Sequence, residues 1–571
     1  MPPSSSKNRR YHQQWQPNLP DECWESVFNH LNPHDLESIS LVSSHFLSLS
    51  NRIRTHLTIS RHTLPHLPAL LRRFTSLTSI KLTNYTGDIN ALLSRIASFD
   101  LPSLHSLDIS YQRPFPSHGL RRFSKKFPTL KSLYCSHTTP DLVLIAECFP
   151  NLEEIDLNHT FVPSDADLQV KALASGLKKL RKVNLLGTYI LRDSSFFTLC
   201  QNCVFLEELF VHETCSLSNI GIANAIRERP QLRSLAVSSL TYELIDALVS
   251  LKGLICLHFS YSHISDGALC AIAEGGLPLR ELSLRGCDGY QYGGISCLLR
   301  KCNSLQHLDL QGTEFLNDEC VIELSLLLGN LNVVKLSRNV KLTDLSLFAI
   351  VRNCPLITEI RMDSTGVEKQ KVEEDCLVVS SHLKFLYLSQ NKWLDDESVT
   401  MLASVCPNLE MMDLSHCRRV TMGAIEVLRR CRKIQCMNLA HLGYDPSQSK
   451  FRVNFKVPTL FMLNLSGFSI SNEELCLISK SCYNLKELDL DYCEKISTNG
   501  VKQVVKNCKQ LRMISLLSCK KVSPDIATWM VLSRPSLREI TIPRYSRHSV
   551  DQIDLCLRHG CFVSWNSKES N

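Results

Sequence analysis

Apolar residues recur along most of the chain as apolar-x-x-apolar-x-apolar. The pattern starts at Leu77, Ile80 and Leu82 and ends at the unit opening on Leu537, nineteen units in all. Most steps are 25 or 26 residues; Leu130 to Leu152 and Leu232 to Leu254 are short, and Leu152 to Leu180 is long. In Leu485-Lys486-Glu487-Leu488-Asp489-Leu490, residues 488 and 490 share one face of a strand, and Asp489 and Asp491 face the other way. Val501, Val504, Val505 and Cys508 then fall at i, i+3, i+4 and i+7, the apolar face of a helix. Ser497 or Thr498 is the expected cap of that helix. Each unit is therefore a short strand, a turn and a helix, and it is cored only by its neighbours. Strands stack at about 4.8 Å, whereas helices are about 10 Å wide. The stack should bend into a strongly curved horseshoe with its strands on the concave side.

Residues 1–18 are polar and Ser/Pro-bearing, and a disordered tail is expected there. The next segment changes period. Trp24, Val27, Phe28 and Leu31 form a helical stripe that opens at Pro20 and ends at Asn32-Pro33. A second apolar stretch follows, from Leu36 to Leu49. So small a helical module cannot close a core alone and should dock on something. The expected organisation is a tail at 1–18, a helical module at 19–60, a solenoid at 61–545 and a C-terminal cap or tail at 546–571.

Composition narrows the chemistry. The chain has 571 residues, 44% of them hydrophobic, enough for a core. Its length alone would suggest three or four domains, but the repeat replaces them with one continuous array. Only 21 glycines are present, with no Gly-rich phosphate loop and no nucleophile elbow. The 25 cysteines are odd in number. Neither a secretory segment nor an apolar run long enough to span a membrane is present, so a reducing compartment, cytosol or nucleus, is expected. Many cysteines follow the repeat. Cys203, Cys302, Cys354, Cys406, Cys431, Cys482 and Cys508 precede a unit by three residues, and Cys287, Cys417, Cys493 and Cys519 follow a strand's last apolar residue by three. Such periodic positions read as small buried hydrophobes. Cys200-x-x-Cys203 has no partner pair, and His62 and His66 are separated by Pro65, so no metal site, cofactor or catalytic residue is expected. Charge is uneven: residues 51–131 hold thirteen Lys and Arg against Asp88, Asp100 and Asp108. Few aromatics interleave with them, so nucleic acid is not the expected partner, and solvated helix faces account for the excess.

The motif Leu488-Asp489-Leu490-Asp491-Tyr492-Cys493-Glu494-Lys495-Ile496-Ser497 resembles the cysteine-containing class of leucine-rich repeats, as do Ile264-Ser265-Asp266-Gly267 and Leu342-Thr343-Asp344. The resemblance covers about residues 70–545. Leu19-Pro20, Val27-Phe28, Leu31, Asp35-Leu36 and Leu41-Val42-Ser43 resemble an F-box. Phe46 stands in for the tryptophan that many F-boxes carry after the conserved valine. Together the two parts look like a plant-type F-box/leucine-rich-repeat protein. The resemblance implies an α/β solenoid with an all-α F-box module in front. It further implies a non-enzymatic substrate receptor that docks on a Skp-family adaptor, and through it on cullin and RING subunits, to present a protein target for ubiquitination. Leu19, Pro20, Val27, Leu31, Leu36, Leu41 and Val42 would contact the adaptor or position the helices that do. Leu19, Pro20 and Val27 are the expected contacts; Leu41 and Phe46 are expected to face inward. The alternatives are a repeat scaffold without ubiquitin chemistry and a small-molecule receptor linked to the same ligase. Uniform steps and few inward cations leave the last little to work with.

Residues that alternate with the ladder line the concave face. Phe210 with His212, and Phe385 with Tyr387, are candidate target anchors. Arg285, Lys335 and Arg361 could hold an acidic or phosphorylated segment.

Overall fold

The computed structural model describes residues 19–31, 36, 39–60, 63–82, 85, 87–161, 166–188, 191–212, 216–366, 378–421, 423–443, 453–523, 525–542 and 550–564. The proposed tail at 1–18 lies outside them, as does Asp35. The chain forms two compact units, residues 1–165 with 175–180, and residues 166–174 with 181–571.

The first unit holds the helical module and five strands, His56–Ile59, Ser79–Leu82, Ser106–Asp108, Ser132–Tyr134 and Glu154–Asp156. Each is parallel to the next. Among the described residues the second unit holds sixteen strands, from Lys182–Asn184 to Phe562–Ser564, again parallel from neighbour to neighbour. Ladder residues such as Leu485, Leu488 and Leu490 are buried, and Val501, Val504 and Val505 pack inward from the helix Thr498–Asn507.

Two rungs exceed the nineteen expected. Leu57 and Ile59 pair with Ile80 and Leu82, and Val563 pairs with Ile540. The sequence pattern misses both rungs because its first apolar position is Arg54 in one and Gly560 in the other. The Arg54 guanidinium lies over the Phe74 ring at 5.6 Å, and the residue is half-buried there. The first rung thus begins before residue 61, within the segment assigned to the helical module.

Neighbouring repeats are stitched at their helix starts. Ser497 is the N-cap of its helix, but its side chain accepts none of that helix's N–H groups. The cap residue is instead tied to the preceding repeat. Asn472 Oδ1 accepts from the Ser497 N–H at 3.0 Å, and Asn472 Nδ2 donates to Ser497 Oγ at 2.9 Å. Asp266, Asp318 and Asp396 likewise accept from the backbone of Gln291, Thr343 and Thr421 at 2.7, 2.9 and 2.7 Å. The Ser-Asp-Gly segment is therefore a joint between repeats as well as a helix start. Gly294 and Gly423 sit against it, and a Cβ on either would stand 2.7 or 2.8 Å from the Cα of Asp266 or Asp396.

The turn cysteines are more than small hydrophobes. Cys417, Cys493 and Cys519 Sγ donate to the carbonyls of Leu388, Leu465 and Leu490 at 3.1, 3.1 and 3.0 Å. Burial pushes the Cys417 and Cys519 thiols up to about 12, so they stay protonated donors. Asn339 and Asn391 stand in the same column and make the equivalent bonds through Nδ2, at 2.8 and 2.7 Å.

Candidate functional site

The module begins at α1 (Asp21–Asn29), whose first turn hangs on the Pro20 carbonyl, and includes α2 (Ser44–Arg52), capped by Ser43 Oγ on the Phe46 N–H at 3.1 Å. Their contact is aromatic. Phe46 lies 4.9 Å from Trp24 and 5.3 Å, edge-on, from Phe28. Asp21 accepts from His45 Nε2 at 2.8 Å and Arg52 Nη1 at 3.0 Å, and Arg52 also pairs with Glu25. These exposed ion pairs align the helices more than they stabilise them. The hydrogen bond from His45, reinforced by Arg52, holds the Asp21 carboxyl below the ordinary range.

With the aromatics turned inward, several apolar side chains face solvent: Leu19 is 50% exposed, Val27 49%, Leu41 83% and Val42 68%. Pro20 is exposed, and Leu31 and Leu36 are half-buried. Phe46 packs inward as expected. Leu41 does not: it sits in the turn before Ser43, where the Val42 N–H bonds to the Ile39 carbonyl and no helix face carries it inside. These are large apolar side chains left facing solvent on a small helical module.

The second feature is a cleft of about 450 Å³ on the sheet of the second unit. Strand register brings Ser283, Asp309, Lys335, Arg361 and Tyr387 into one row. The cleft is lined by Arg285, Lys335, Arg338 and Arg361, with Gln311, Ser337, Asp363, Ser364, Ser389 and Gln390. The Arg361 guanidinium lies 4.1 Å from the Tyr387 ring and 2.5 Å from Glu359 Oε1. Burial opposes its charge, but the hydrogen bond and charge of Glu359 prevail and hold its pKa above the ordinary value. Asp363 accepts from Ser337 Oγ at 3.0 Å and from Ser389 N and Oγ, both at 2.9 Å. This carboxylate fastens loops together, and four cations line the same space.

Backbone conformation shapes the rim. Along the cleft, the residue two places after a strand's last ladder position takes a positive φ: +63° at Gly286, +70° at Gly312, +66° at Arg338, +55° at Ser364 and +60° at Gln390. Glycine carries this conformation freely and leaves the column bare at 286 and 312. The column resumes with Arg338, Ser364 and Gln390, all on the cleft wall. At Gly286 a Cβ would also stand 2.6 Å from the Tyr261 ring.

Comparison with known proteins agrees with both parts. An F-box domain model matches residues 17–58, and a leucine-rich-repeat model matches residues 379–403 and 481–504. The chain is an F-box/leucine-rich-repeat protein.

Among curated proteins, this F-box/leucine-rich-repeat chain is similar to the BTB/POZ domain-containing protein FBL11 of Arabidopsis thaliana, 22% identical over 71% of this chain and 47% of the relative. It is also similar to GRR1-like protein 1 of Arabidopsis thaliana, 24% identical over 40% of this chain and 45% of the relative. DNA repair protein rhp7 of Schizosaccharomyces pombe is 26% identical over 62% of this chain and 65% of the relative. The chain spans about half the length of the first two of these relatives and less than two thirds of the third. Among solved structures, the yeast Rad7 and Elc1 complex matches with a TM-score of 0.41 at 16% identity over 63% of this chain and 90% of that one.

The structure gathers Arg285, Lys335 and Arg361 into one cleft, with Tyr387 stacked on Arg361. Phe385 is half-buried at the far end of the Tyr387 strand. Phe210 and His212 lie elsewhere, five strands before Lys335, where Phe210 meets His258 edge-on at 6.5 Å. Arg338, Ser364 and Gln390 escaped the sequence reading, which followed only strand positions. The repeat register could have found them, because each stands two places after a ladder leucine or methionine. Among the described residues no group of His, Cys, Asp and Glu could hold a metal ion, and no helix is long and apolar enough to cross a membrane.

Proposed function

We propose that this protein is a substrate receptor of a Skp–cullin–F-box ubiquitin ligase. The carrying observation is the coincidence of the F-box match at residues 17–58 with the solvent-facing Leu19, Val27, Leu41 and Val42. An apolar face whose own helices are already closed by Trp24, Phe28 and Phe46 is free to bury against a Skp-family adaptor, which brings cullin and RING subunits. The basic cleft is the candidate target site, suited to an acidic or phosphorylated segment. Arg361, stiffened by Tyr387 and Glu359, is its best pre-organised cation. The chain would act in the cytosol or nucleus and carry out no chemistry itself. Holding a target near a charged conjugating enzyme raises the local concentration of the target's lysines.

The test is co-purification of the full chain with a Skp adaptor. Binding that is lost in the Leu19→Asp, Pro20→Asp double variant, with circular dichroism unchanged, supports the reading. A well-folded wild-type chain that fails to bind the adaptor refutes it and leaves the repeat-scaffold alternative. For the cleft, the Lys335→Glu, Arg361→Glu variant should retain the adaptor and lose captured targets.

A further inference from the structure

Cys270 and Cys297 belong to neither cysteine column of the repeat. They sit on two neighbouring helices, Asp266–Glu274 and Tyr292–Lys301. Glycine brings these helices close. Asp266 begins the first helix, and Gly293 and Gly294 lie in the first turn of the second. A Cβ on Gly294 would stand 2.7 Å from the Asp266 Cα, and one on Gly293 would stand 3.7 Å from Asp266 Oδ2. The Gln291 N–H also donates to Asp266 Oδ1 at 2.7 Å. One helical turn later, four residues on from Asp266 and from Gly293, come Cys270 and Cys297. The Cys270 thiol interacts with Cys297, and both residues are half-buried and within reach of solvent. The column cysteines at 417, 493 and 519 differ on both counts, since they are buried and bonded to carbonyls.

We propose that Cys270 and Cys297 are an oxidisable dithiol that closes into a disulfide between adjacent repeats when the protein meets hydrogen peroxide. A disulfide needs Cα atoms roughly 4.4–6.8 Å apart, and Gly294 lets the two helices approach closely one turn before the cysteines. The interaction with Cys297, with some burial, pushes the Cys270 thiol up to about 11, so Cys270 keeps its proton, and the step is written with Cys297 as the attacking sulfur. The Cys297 thiolate attacks one peroxide oxygen and breaks the O–O bond, giving a sulfenic acid and, after proton transfer, one water. The Cys270 sulfur then displaces the sulfenic hydroxyl, which leaves with the Cys270 proton as a second water. Two thiols and one peroxide become one disulfide and two waters, and the two electrons come from the sulfurs. A thiol reductant reverses the bond. The strand Glu281–Arg285 lies between the two cysteines in the chain, so the cross-link encloses the rung that carries Arg285 of the cleft. The proposal stands whether or not the protein serves a ubiquitin ligase.

The test treats the full chain with hydrogen peroxide, blocks remaining thiols with a maleimide, digests without reduction and maps the peptides by mass spectrometry. The expected product joins the Cys270 peptide to the Cys297 peptide, disappears on reduction with dithiothreitol, and is missing from both Cys270→Ser and Cys297→Ser. Three outcomes overturn the proposal. One is recovery of both residues as maleimide adducts. Another is oxidation of both to sulfinic or sulfonic acids without a cross-link. The third is pairing with other cysteines at comparable yield.

Discussion

Replacing Asn391 by leucine should loosen the second unit more than replacing it by cysteine. Asn391 is fully buried. Its Nδ2 donates to the Met362 and Leu388 carbonyls at 2.7 and 3.0 Å, and its Oδ1 accepts from Thr365 N and Oγ1 at 2.8 and 2.9 Å. Leucine is tolerated in this column, since Leu442 occupies it in a later repeat and is buried, so volume is not the obstacle. The loss is polar. The Thr365 N–H loses its acceptor, at about 1–3 kcal/mol for an orphaned buried donor. The Met362 carbonyl falls back on Thr365 Oγ1 at 3.4 Å and the Leu388 carbonyl on Cys417 Sγ at 3.1 Å, each costing roughly 0.5–1 kcal/mol. The expected total is about 3 kcal/mol. Cysteine restores the donor to Met362, as Cys417 does for Leu388, and should cost about 2 kcal/mol. Trp393 is buried and donates from Nε1 to Thr365 Oγ1 at 3.0 Å, so its fluorescence reports on this joint during urea unfolding. A leucine variant within about 0.5 kcal/mol of wild type, or one no worse than the cysteine variant, would refute the reasoning.

Other expectations follow from the same contacts. Phe46→Ala removes the ring that holds Trp24 and Phe28; it should cost about 2 kcal/mol and abolish adaptor binding through loss of helix packing, read by circular dichroism. Leu19→Asp should abolish adaptor binding and shift stability by only about 0.5 kcal/mol or less. Gly294→Val forces a branched Cβ into Asp266, and should lower the midpoint of urea unfolding and the yield of the Cys270–Cys297 cross-link together. His441 stacks on His416 at 4.7 Å, and burial, reinforced by His416, holds it below the ordinary 6.5. The folded chain then binds its proton later than the unfolded one. Its contribution is therefore complete above 6.5 and declines as pH falls through the lowered folded value. In a urea titration from pH 7 to pH 5, conditions chosen about the ordinary histidine value, His441→Gln should flatten that decline.

The ladder made most of the fold legible before any coordinates. Leu-x-x-Leu-x-Leu at a constant step can bury both its strand and helix faces only by stacking, so repeat number, strand direction and register follow closely. The pattern failed at Arg54 and Gly560, where an arginine or a glycine replaces the first apolar residue and hydrophobicity no longer marks the rung. The inward packing of Phe46 was expected from the F-box resemblance, in which it takes the place of a tryptophan. The exposure of Leu41 was not, because a turn carries no period from which to read a face.

The candidate cleft was legible only in part. Arg285, Lys335 and Arg361 were nominated from alternation, which sets the face a residue occupies. Alternation is silent on Arg338, Ser364 and Gln390, whose direction depends on a left-handed backbone set by bonds to the next repeat, such as Arg338 N to the Asp363 carbonyl at 2.8 Å.

The sequence by itself determined the repeat, the two-part organisation and the chemistry available on each face, because these depend on spacing between near neighbours in the chain. The tertiary structure decided which residues from different repeats meet. The stitch from Asn472 to Ser497, the gathering of four cations in one cleft and the contact of Cys270 with Cys297 all join residues about one or more repeat lengths apart. Their distances are set by how closely glycine and small side chains let adjacent repeats approach, which spacing along the chain does not encode.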